Sequence, residues 1–292
     1  MVNVLERPPV RELAEATTAA RRQVARLTLP TLLALTAIVT IVPFAAMVLV
    51  AFAPPSGQTF PDALNPAHWT FENFSRVLSS SDIPRWTVNS LLYSLVSVVC
   101  VLLFASMAGY AFARLRFAGR DIAFMVLLAT SIIPGIAYLI PQYIVFQHIG
   151  WVDTQYPLWV PKVLTPVFAT FLMRQSFLTI PNELEDAGKI DGASTFGIYW
   201  RIMLPQTKPA LAAIGVFTFL ESWNDLFGPL IYITSENLQT LPVALAQFQG
   251  EYFTKISLLM AGATISVVPV IAVFLFAQRY FIQGITMTGM KG

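Results

Sequence analysis

Charge is scarce in this chain of 292 residues. Asp, Glu, Lys and Arg make up 12% of it, about half the roughly 25% of an ordinary soluble domain. Hydrophobic residues make up 56%, so water is not its main solvent. Cysteine is nearly absent: Cys100 stands alone, without a partner for an internal disulfide. The two histidines, His68 and His148, lie far apart and lack metal-ligand spacing. Zinc, haem and thiol redox chemistry are therefore not indicated, and no cofactor or metal ion is expected on this chain. Neither sign of charge dominates, the net charge being +2, and no basic cluster interleaves with aromatics as a nucleic-acid groove requires. No internal repeat is visible, so the doubled halves of many self-sufficient secondary carriers are missing. No nucleophile–base pair or metal-ligand cluster speaks for a membrane enzyme.

What is present is long apolar sequence. A bilayer core about 30 Å thick takes around 20 helical residues, because a backbone group left unpaired in hydrocarbon costs several kcal/mol. Four runs of that length carry no Asp, Glu, Lys or Arg: 27–53, 86–113, 122–147 and 256–278. Two more, 154–173 and 209–233, are equally apolar but carry Lys162 in the first and Glu221 with Asp225 in the second. The expected fold is all-α: one polytopic membrane domain, residues 27–292, with six transmembrane helices behind a tail of residues 1–26. The first run is too long for a signal-peptide core of 7 to 15 residues and reads as a retained anchor. The tail before it, rich in Ala, Arg and Glu, reads as a short amphipathic surface helix or as disordered.

Positive residues are retained on the cytoplasmic side of a membrane. With the N-terminus inside, the inner segments hold Arg7, Arg11, Arg21, Arg22, Arg26, Arg114, Arg116, Arg120, Arg174, Lys189, Arg201, Lys208, Arg279 and Lys291, which is 14 of the 18 Lys and Arg. The outer segments hold Arg76, Arg85 and Lys255. Both termini and the segment 181–206 are thus expected in the cytoplasm, in a cell membrane of bacterial or archaeal type. The longest outer connection, 54–85, contains the turn signals PPSG and LNP and then the amphipathic WTFENFSRVL, which suits a helix lying on the bundle.

Residues 181–206, PNELEDAGKIDGASTFGIYWRIMLPQ, are the most charge-dense part of the chain. Pro181 suits a first helical turn, and Glu183, Glu185 and Asp186 then meet the positive end of the helix dipole. Asp191-Gly192 is a turn signal. Ser194 can cap a second helix that runs to Leu204 and is ended by Pro205. That second helix carries Phe196, Tyr199, Trp200, Ile202 and Met203, too apolar for free solvation and too short to span. It either packs under its own bundle or docks on a partner protein.

The spacing in this segment resembles the EAA loop of binding-protein-dependent ABC importer permeases: Glu-Ala-Ala, three residues, Gly, nine residues, Ile, any residue, Leu-Pro. Here Asp186-Ala187-Gly188 is followed after three residues by Gly192 and after nine more by Ile202-Met203-Leu204-Pro205. Asp186 stands for the usual Glu and Gly188 for the second Ala. WTFENFSRVL, VNSLLYSL, AGYAFARLRFAGR, FLMRQSFLTIP, ESWNDLFGPL and QRYFIQGITMTGMKG extend the likeness over nearly the whole chain, toward the carbohydrate-uptake branch that includes maltose permeases.

The resemblance implies a half-channel that pairs with a homologous second permease, binds two copies of an ABC ATPase and receives sugar from an extracellular solute-binding protein. ATP and Mg²⁺ would sit on the partner subunits, in keeping with the lack of a G-x-x-x-x-G-K-[ST] phosphate cradle here; the chain itself is expected to be no enzyme. The ATPase contact falls, by resemblance, on Glu185, Asp186, Ala187, Asp191, Gly192, Ala193, Tyr199, Trp200, Ile202, Leu204 and Pro205.

Ionisable groups inside a span normally face a cavity or a partner. Glu221 and Asp225 share a helical face at i and i+4, and with Trp223 and Asn224 they make suitable material for a sugar path, carboxylates and amides for hydroxyls and an aromatic ring for the apolar face of a pyranose. Equally open, Glu221 or Asp225 pairs with the partner permease or supports a helix break before Gly228-Pro229. Lys162 would snorkel toward outer water. Pro134, Pro141, Pro157, Pro161, Pro166 and Pro269 mark candidate hinges. The alternative function is an ion-coupled secondary solute carrier that uses Glu221 or Asp225 as a proton relay. The sugar, polyol or glycerol-phosphate ester carried is not legible.

Overall fold

The computed structural model describes residues 10–54, 63, 65–79, 82–251 and 256–288, with side chains for 28, 30–54, 63, 65–79, 82–247 and 256–279. Arg7, Lys255, Lys291 and most of the PPSG turn lie outside the described residues. Among those described, the chain is helical throughout, without strands. In order, the helices are α1 (Val10–Ala51), α2 (Glu72–Ser79), α3 (Ile83–Arg114), α4 (Arg120–Thr130), α5 (Gly135–His148), α6 (Tyr156–Leu164), α7 (Val167–Leu178), α8 (Asn182–Ile190), α9 (residues 195–206), α10 (Lys208–Trp223), α11 (Phe227–Tyr232), α12 (Leu241–Glu251) and α13 (Ile256–Thr288).

Among the described residues, three helices are long and apolar enough to cross a membrane unbroken: Pro30–Ala51, Ile83–Arg114 and Ile256–Arg279. The other apolar runs are interrupted, and joining the bent pairs raises the number to five. The expected third span breaks at Ser131–Pro134, where α4 and α5 meet at 95°. Pro134 has no N–H and drives the residue before it out of helical geometry. The Thr130 carbonyl so freed accepts from Ile133 N at 3.3 Å, and in the turn before it the Thr130 hydroxyl donates to Leu127 O at 2.6 Å and the Ser131 hydroxyl to Leu128 O at 2.7 Å. The fourth run starts at Tyr156 and continues to Leu178 through a break at Thr165-Pro166. In the fifth, the break falls at 224–226, ahead of Gly228-Pro229 as one of the open readings had it. Of the prolines marked as hinges, Pro134 and Pro166 flank breaks, Pro157 opens α6, and Pro141, Pro161 and Pro269 stay inside helices.

Residues 10–26 are neither a separate surface helix nor coil: they are the first turns of α1. No Gly or Pro occurs between Val10 and Leu29, and Ala, Arg, Glu and Leu are strong helix formers, so nothing stops the helix short of the span.

α3 is the central post, packed by α6, α7 and α10, while α13 packs on α1 and α10. Gly109 sets how close α7 can come. A Cβ there would stand 2.6 Å from Met173 Cβ and 2.9 Å from the Arg174 backbone nitrogen, leaving no room for any other residue. α2 lies across the ends of α1 and α13, as its amphipathic sequence suggested, and buries Val77. Its Asn73 is fully buried and donates to Ala51 O at 2.9 Å and Ala53 O at 2.7 Å, carbonyls that the end of α1 leaves without helical donors. Asn73→Ala should leave both unsatisfied and lower stability by about 1–3 kcal/mol. Thermal unfolding of the detergent-solubilised protein would measure it, and an unchanged midpoint would count against this cap.

At the same end, Trp86 Nε1 donates to Glu236 O at 2.8 Å, and Asn89 Nδ2 donates to Asn237 O and Gln239 O, both at 2.9 Å. Asp153, with φ of +63°, pins the neighbouring loop by accepting from the Thr234 and Ser235 backbone N–H groups at 3.0 and 2.7 Å and from the Ser235 hydroxyl. The Ser235 hydrogen bonds, side chain first, hold the Asp153 carboxyl below its usual value of 3.8. The folded state is favoured above that value, and the contribution disappears as pH falls below it through the lowered folded value. Asp153→Asn should therefore flatten the acid limb of the stability profile below about pH 4, read as melting temperature against pH.

Candidate functional site

The polar segment folds as an elbow. Pro181, with φ −59° and ψ 143°, sits at the cap position of α8, one residue before the first turn where the sequence suggested it; Glu183 and Glu185 occupy the first turn. α8 ends at Asp191, and Gly192 turns the chain with φ of +76°. Gly192 N donates to Lys189 O at 3.0 Å and Ala193 N to Gly188 O at 2.9 Å, meeting carbonyls at the helix end. The Ser194 hydroxyl then accepts from Gly197 N at 3.1 Å and starts α9 as expected.

α9 does not stop at Leu204. A π turn, Ile198–Met203, lies between single α turns Thr195–Gly197 and Leu204–Gln206, so Pro205 falls inside the helix. Pro205 lacks an N–H, and its ring would strike the carbonyl four residues back in a regular helix. The wider turn, in which Leu204 N reaches Tyr199 O, relieves both problems.

The elbow has an inner and an outer face. Tyr199 was expected to face a partner but is 2% exposed. Its ring packs 5.3 Å from Tyr110 and 6.4 Å from Phe177, and its hydroxyl lies 2.7 Å from Ser106 Oγ. Burial raises its pKa, so the hydroxyl stays neutral. Ile198 and Met203 are buried beside it, and Ile202 and Leu204 pack half-buried against the same cluster. Gly188 faces inward, where a Cβ would meet Ile202 Cδ1 at 2.7 Å, the end of a flexible side chain, so Ala there needs only a small shift of Ile202. Outward stand Ile190, 86% exposed, and the stacked pair Phe196 and Trp200, 62% and 50% exposed with rings inclined by only 13°. Asp186, Ala187, Asp191, Gly192, Ala193 and Pro205 are exposed too.

Arg114, the last residue of α3, ties the elbow down. Its side chain is 7% exposed and donates to Phe177 O at 2.5 Å, to Ile180 O and to Asn182 Oδ1, with Glu185 Oε2 at 3.9 Å. Glu185 also takes Lys189 at 3.1 Å. Hydrogen bonds to Glu185 and then Asp186 raise the Lys189 ammonium above its usual value, so it remains charged at neutral pH. A cleft of about 860 Å³ opens between these residues, Arg116 of the α3–α4 connection and Arg120 at the start of α4. Sequence reasoning used Arg114 only as a topological charge; nothing in the linear order marks it as a buried tie.

The second constellation lies in the bundle. Lys162 of α6 does not snorkel to outer water. Its Nζ lies 3.2 Å from Glu221 Oε1, 3.4 Å from Ser222 Oγ, 3.9 Å from Asp225 Oδ2 and 5.3 Å from the Tyr93 ring centre. Glu221 and Asp225 thus have a partner within this chain. Asp225 accepts from Tyr93 OH at 2.7 Å and from Gly228 N at 3.0 Å, which caps α11 after the break. A cavity of about 500 Å³ adjoins the cluster, lined among others by Ser131, Gln142, Lys162, Thr165, Thr218 and Glu221. The other two residues expected here are elsewhere. Trp223 is 1% exposed, stacks on Phe219 and donates to Ser266 O at 3.1 Å; Asn224 turns back onto Leu220 O at 2.8 Å. Trp223, at i+2 from Glu221, leaves its helical face, and Asn224 lies past the last helical residue.

Residues 101–287 match the model of a family described as binding-protein-dependent transport system inner membrane component. The chain is 35% identical over 262 residues to the arabinooligosaccharides transport system permease protein AraQ of Halalkalibacterium halodurans, covering 88% of this chain and 93% of the relative. It is 30% identical to the trehalose/maltose transport system permease protein MalG of Thermococcus litoralis, over 88% and 94% of the two chains. Its fold is similar to a chain of a bacterial ABC transporter involved in the import of the acidic polysaccharide alginate, with a TM-score of 0.77, 24% identity and coverage of 89% of this chain and 97% of that one.

Proposed function

The chain belongs to the family of binding-protein-dependent transport system inner membrane components, and from that premise we propose that it is the permease half-channel of an ATP-driven carbohydrate importer. It pairs with a homologous permease, and the elbow of α8 and α9 seats in a cleft on an ABC ATPase, two copies of which drive the pair. A solute-binding protein delivers sugar from outside. The single observation that carries the coupling role is the outer face of the elbow: Ile190, Phe196 and Trp200 are exposed on helices too short to span, while Arg114 and the buried Tyr199 hold the same elbow rigidly to α3 and α7. Large apolar groups held out on a firmly anchored support suit a docking surface. The coupling residues at that face are Asp186, Ala187, Asp191, Gly192, Ala193, Trp200 and Pro205, joined by Ile190 and Phe196. Glu185, Ile202 and Leu204 support them from within.

The chain crosses the cytoplasmic membrane six times with both ends inside. Contacts at two opposite ends support this: the α3–α4 connection meets the elbow at one end, and residues 151–156, 232–241 and α2 gather at the other. Span three is then α4 with α5, span four α6 with α7, and span five α10 with α11. Residues 1–26 lie in the cytoplasm. The ion-coupled reading finds no support in the family or the relatives, and Glu221 and Asp225 are held by Lys162 and Tyr93 rather than standing free as a relay.

A tagged chain purified from native membrane is expected to bring down an ABC ATPase and a second permease. ATP hydrolysis by that complex should rise with a solute-loaded binding protein, for which arabinotriose, maltotriose and trehalose are the first probes. Accumulation of solute by the isolated chain under an ion gradient, with nucleotide absent, would overturn the reading.

A further inference from the structure

We propose that Lys162 and Glu221 make the bundle cavity a charge filter that passes neutral polyhydroxylated solutes and turns away those bearing carboxylates, an inference that rests on the half-channel reading above and places this cavity on its solute path. Lys162 is the one cation among the described lining residues, and its ammonium is already taken. Glu221 stands at 3.2 Å, Ser222 Oγ at 3.4 Å and the Tyr93 ring below it at 5.3 Å, with Asp225 at 3.9 Å. One positive charge therefore faces two carboxylates, and the cluster carries an excess negative charge. The Glu221 side chain is 68% exposed against 20% for Lys162, so the carboxylate is the more accessible of the two.

The rest of the polar lining is neutral: the hydroxyls of Ser131, Tyr138, Thr165 and Thr218 and the amide of Gln142. These exchange hydrogen bonds with sugar hydroxyls at little electrostatic cost. A uronate carboxylate would find no unsatisfied cation here and would face a like charge, which disfavours the wrong partner. The filter is a property of pairing, not of composition. With Glu221 neutral, Lys162 and Asp225 balance and the like-charge barrier to an anion is gone.

Charged thiol reagents read this potential directly, without knowing the natural solute. With Cys100→Ser removing the native thiol, Thr165→Cys places one thiol in the cavity of the assembled complex; Ser131→Cys is the second position should the first fail to assemble. Modification by trimethylammonioethyl and by sulfonatoethyl methanethiosulfonate, each a thiolate displacing methanesulfinate to form a mixed disulfide, is followed on this chain by intact mass. Each rate is divided by that reagent's rate with mercaptoethanol. The cationic reagent is expected to be favoured by about tenfold with Glu221 present. Glu221→Gln should bring the ratio to unity, and Lys162→Gln should raise it. Equal corrected rates in the parent, or a ratio indifferent to Glu221→Gln, overturn the filter; a purely structural tie between α6 and α10 would move neither. A second arm adds saturating arabinotriose or maltotriose. Slower modification supports the path, whereas unchanged modification alongside a charge-dependent ratio defeats the path reading and leaves the electrostatics standing.

Discussion

Gly192→Val is expected to abolish solute uptake and to weaken ATPase co-purification, while the chain still inserts in the membrane. The backbone decides this. Gly192 has φ of +76°, and a Cβ built there meets nothing within 4 Å, so crowding plays no part. A left-handed conformation costs an ordinary L-residue about 1–2 kcal/mol and suits a β-branched one least. Val would leave that region, and the bonds from Gly192 N to Lys189 O and from Ala193 N to Gly188 O would go with it. α9 would then swing relative to α8 and carry the Phe196–Trp200 pair off its aim. An elbow misdirected by about 1.4–3 kcal/mol corresponds to a loss of attachment of about ten- to a hundredfold. Gly192→Asn keeps the turn, because Asn tolerates φ above zero, and should retain most attachment. Gly192→Asp keeps the turn as well, so any loss there comes from a further carboxylate on a face that already exposes Asp186 and Asp191. Quantifying the ATPase retained by each tagged variant, together with uptake, separates backbone from charge. Full attachment and uptake in the Val variant would defeat the docking assignment.

Arg114→Gln should be the most damaging single change at the inner end of the bundle. The guanidinium donates to carbonyls of Phe177 and Ile180 and to the Asn182 side chain, and it faces the Glu185 carboxylate at 3.9 Å. Glutamine has neither the charge nor the reach to serve them all. Breaking a buried charge pair typically costs about 3–5 kcal/mol. Glu185 keeps Lys189 at 3.1 Å and is not stranded, so the expected loss is near the lower bound, about 3 kcal/mol. Arg114→Lys retains the charge without the planar fork and should fall between the two. The melting temperature of the solubilised complex and the uptake rate should fall together in the order Arg, Lys, Gln. A Gln variant that melts and transports normally would show that the elbow is held by its apolar inner face alone.

The elbow was largely legible because its signals are local. Pro181, Asp191-Gly192 and Ser194 act on their own backbone within a few residues, and the structure puts a helix start, a left-handed turn and a cap where they stand. Its facing was harder to read. Tyr199 and Trp200 are adjacent and both aromatic, yet one is sealed against Tyr110 and Phe177 and the other is half exposed; the π turn that sets their directions arises from a proline several residues later. The bundle site was legible in part. Helical period put Glu221 and Asp225 together, but a 60-residue gap separates Lys162 from Ser222, which it also contacts, and nothing local announces that meeting. Trp223 was assigned to the path by proximity in sequence, whereas the helical turn sends it to Ser266.

Apolar length and the bias of Lys and Arg determined, by themselves, that this is a helical membrane chain, and the resemblance of its loop motif pointed to a transport system. Each depends on one residue's transfer energy or on contacts within a turn or two. The tertiary structure alone decided where the spans break, which aromatic rings face outward, and which charges neutralise each other. Those outcomes turn on the distance between helices brought together by packing, and Coulomb energy and hydrogen bonds depend on that distance rather than on separation along the chain.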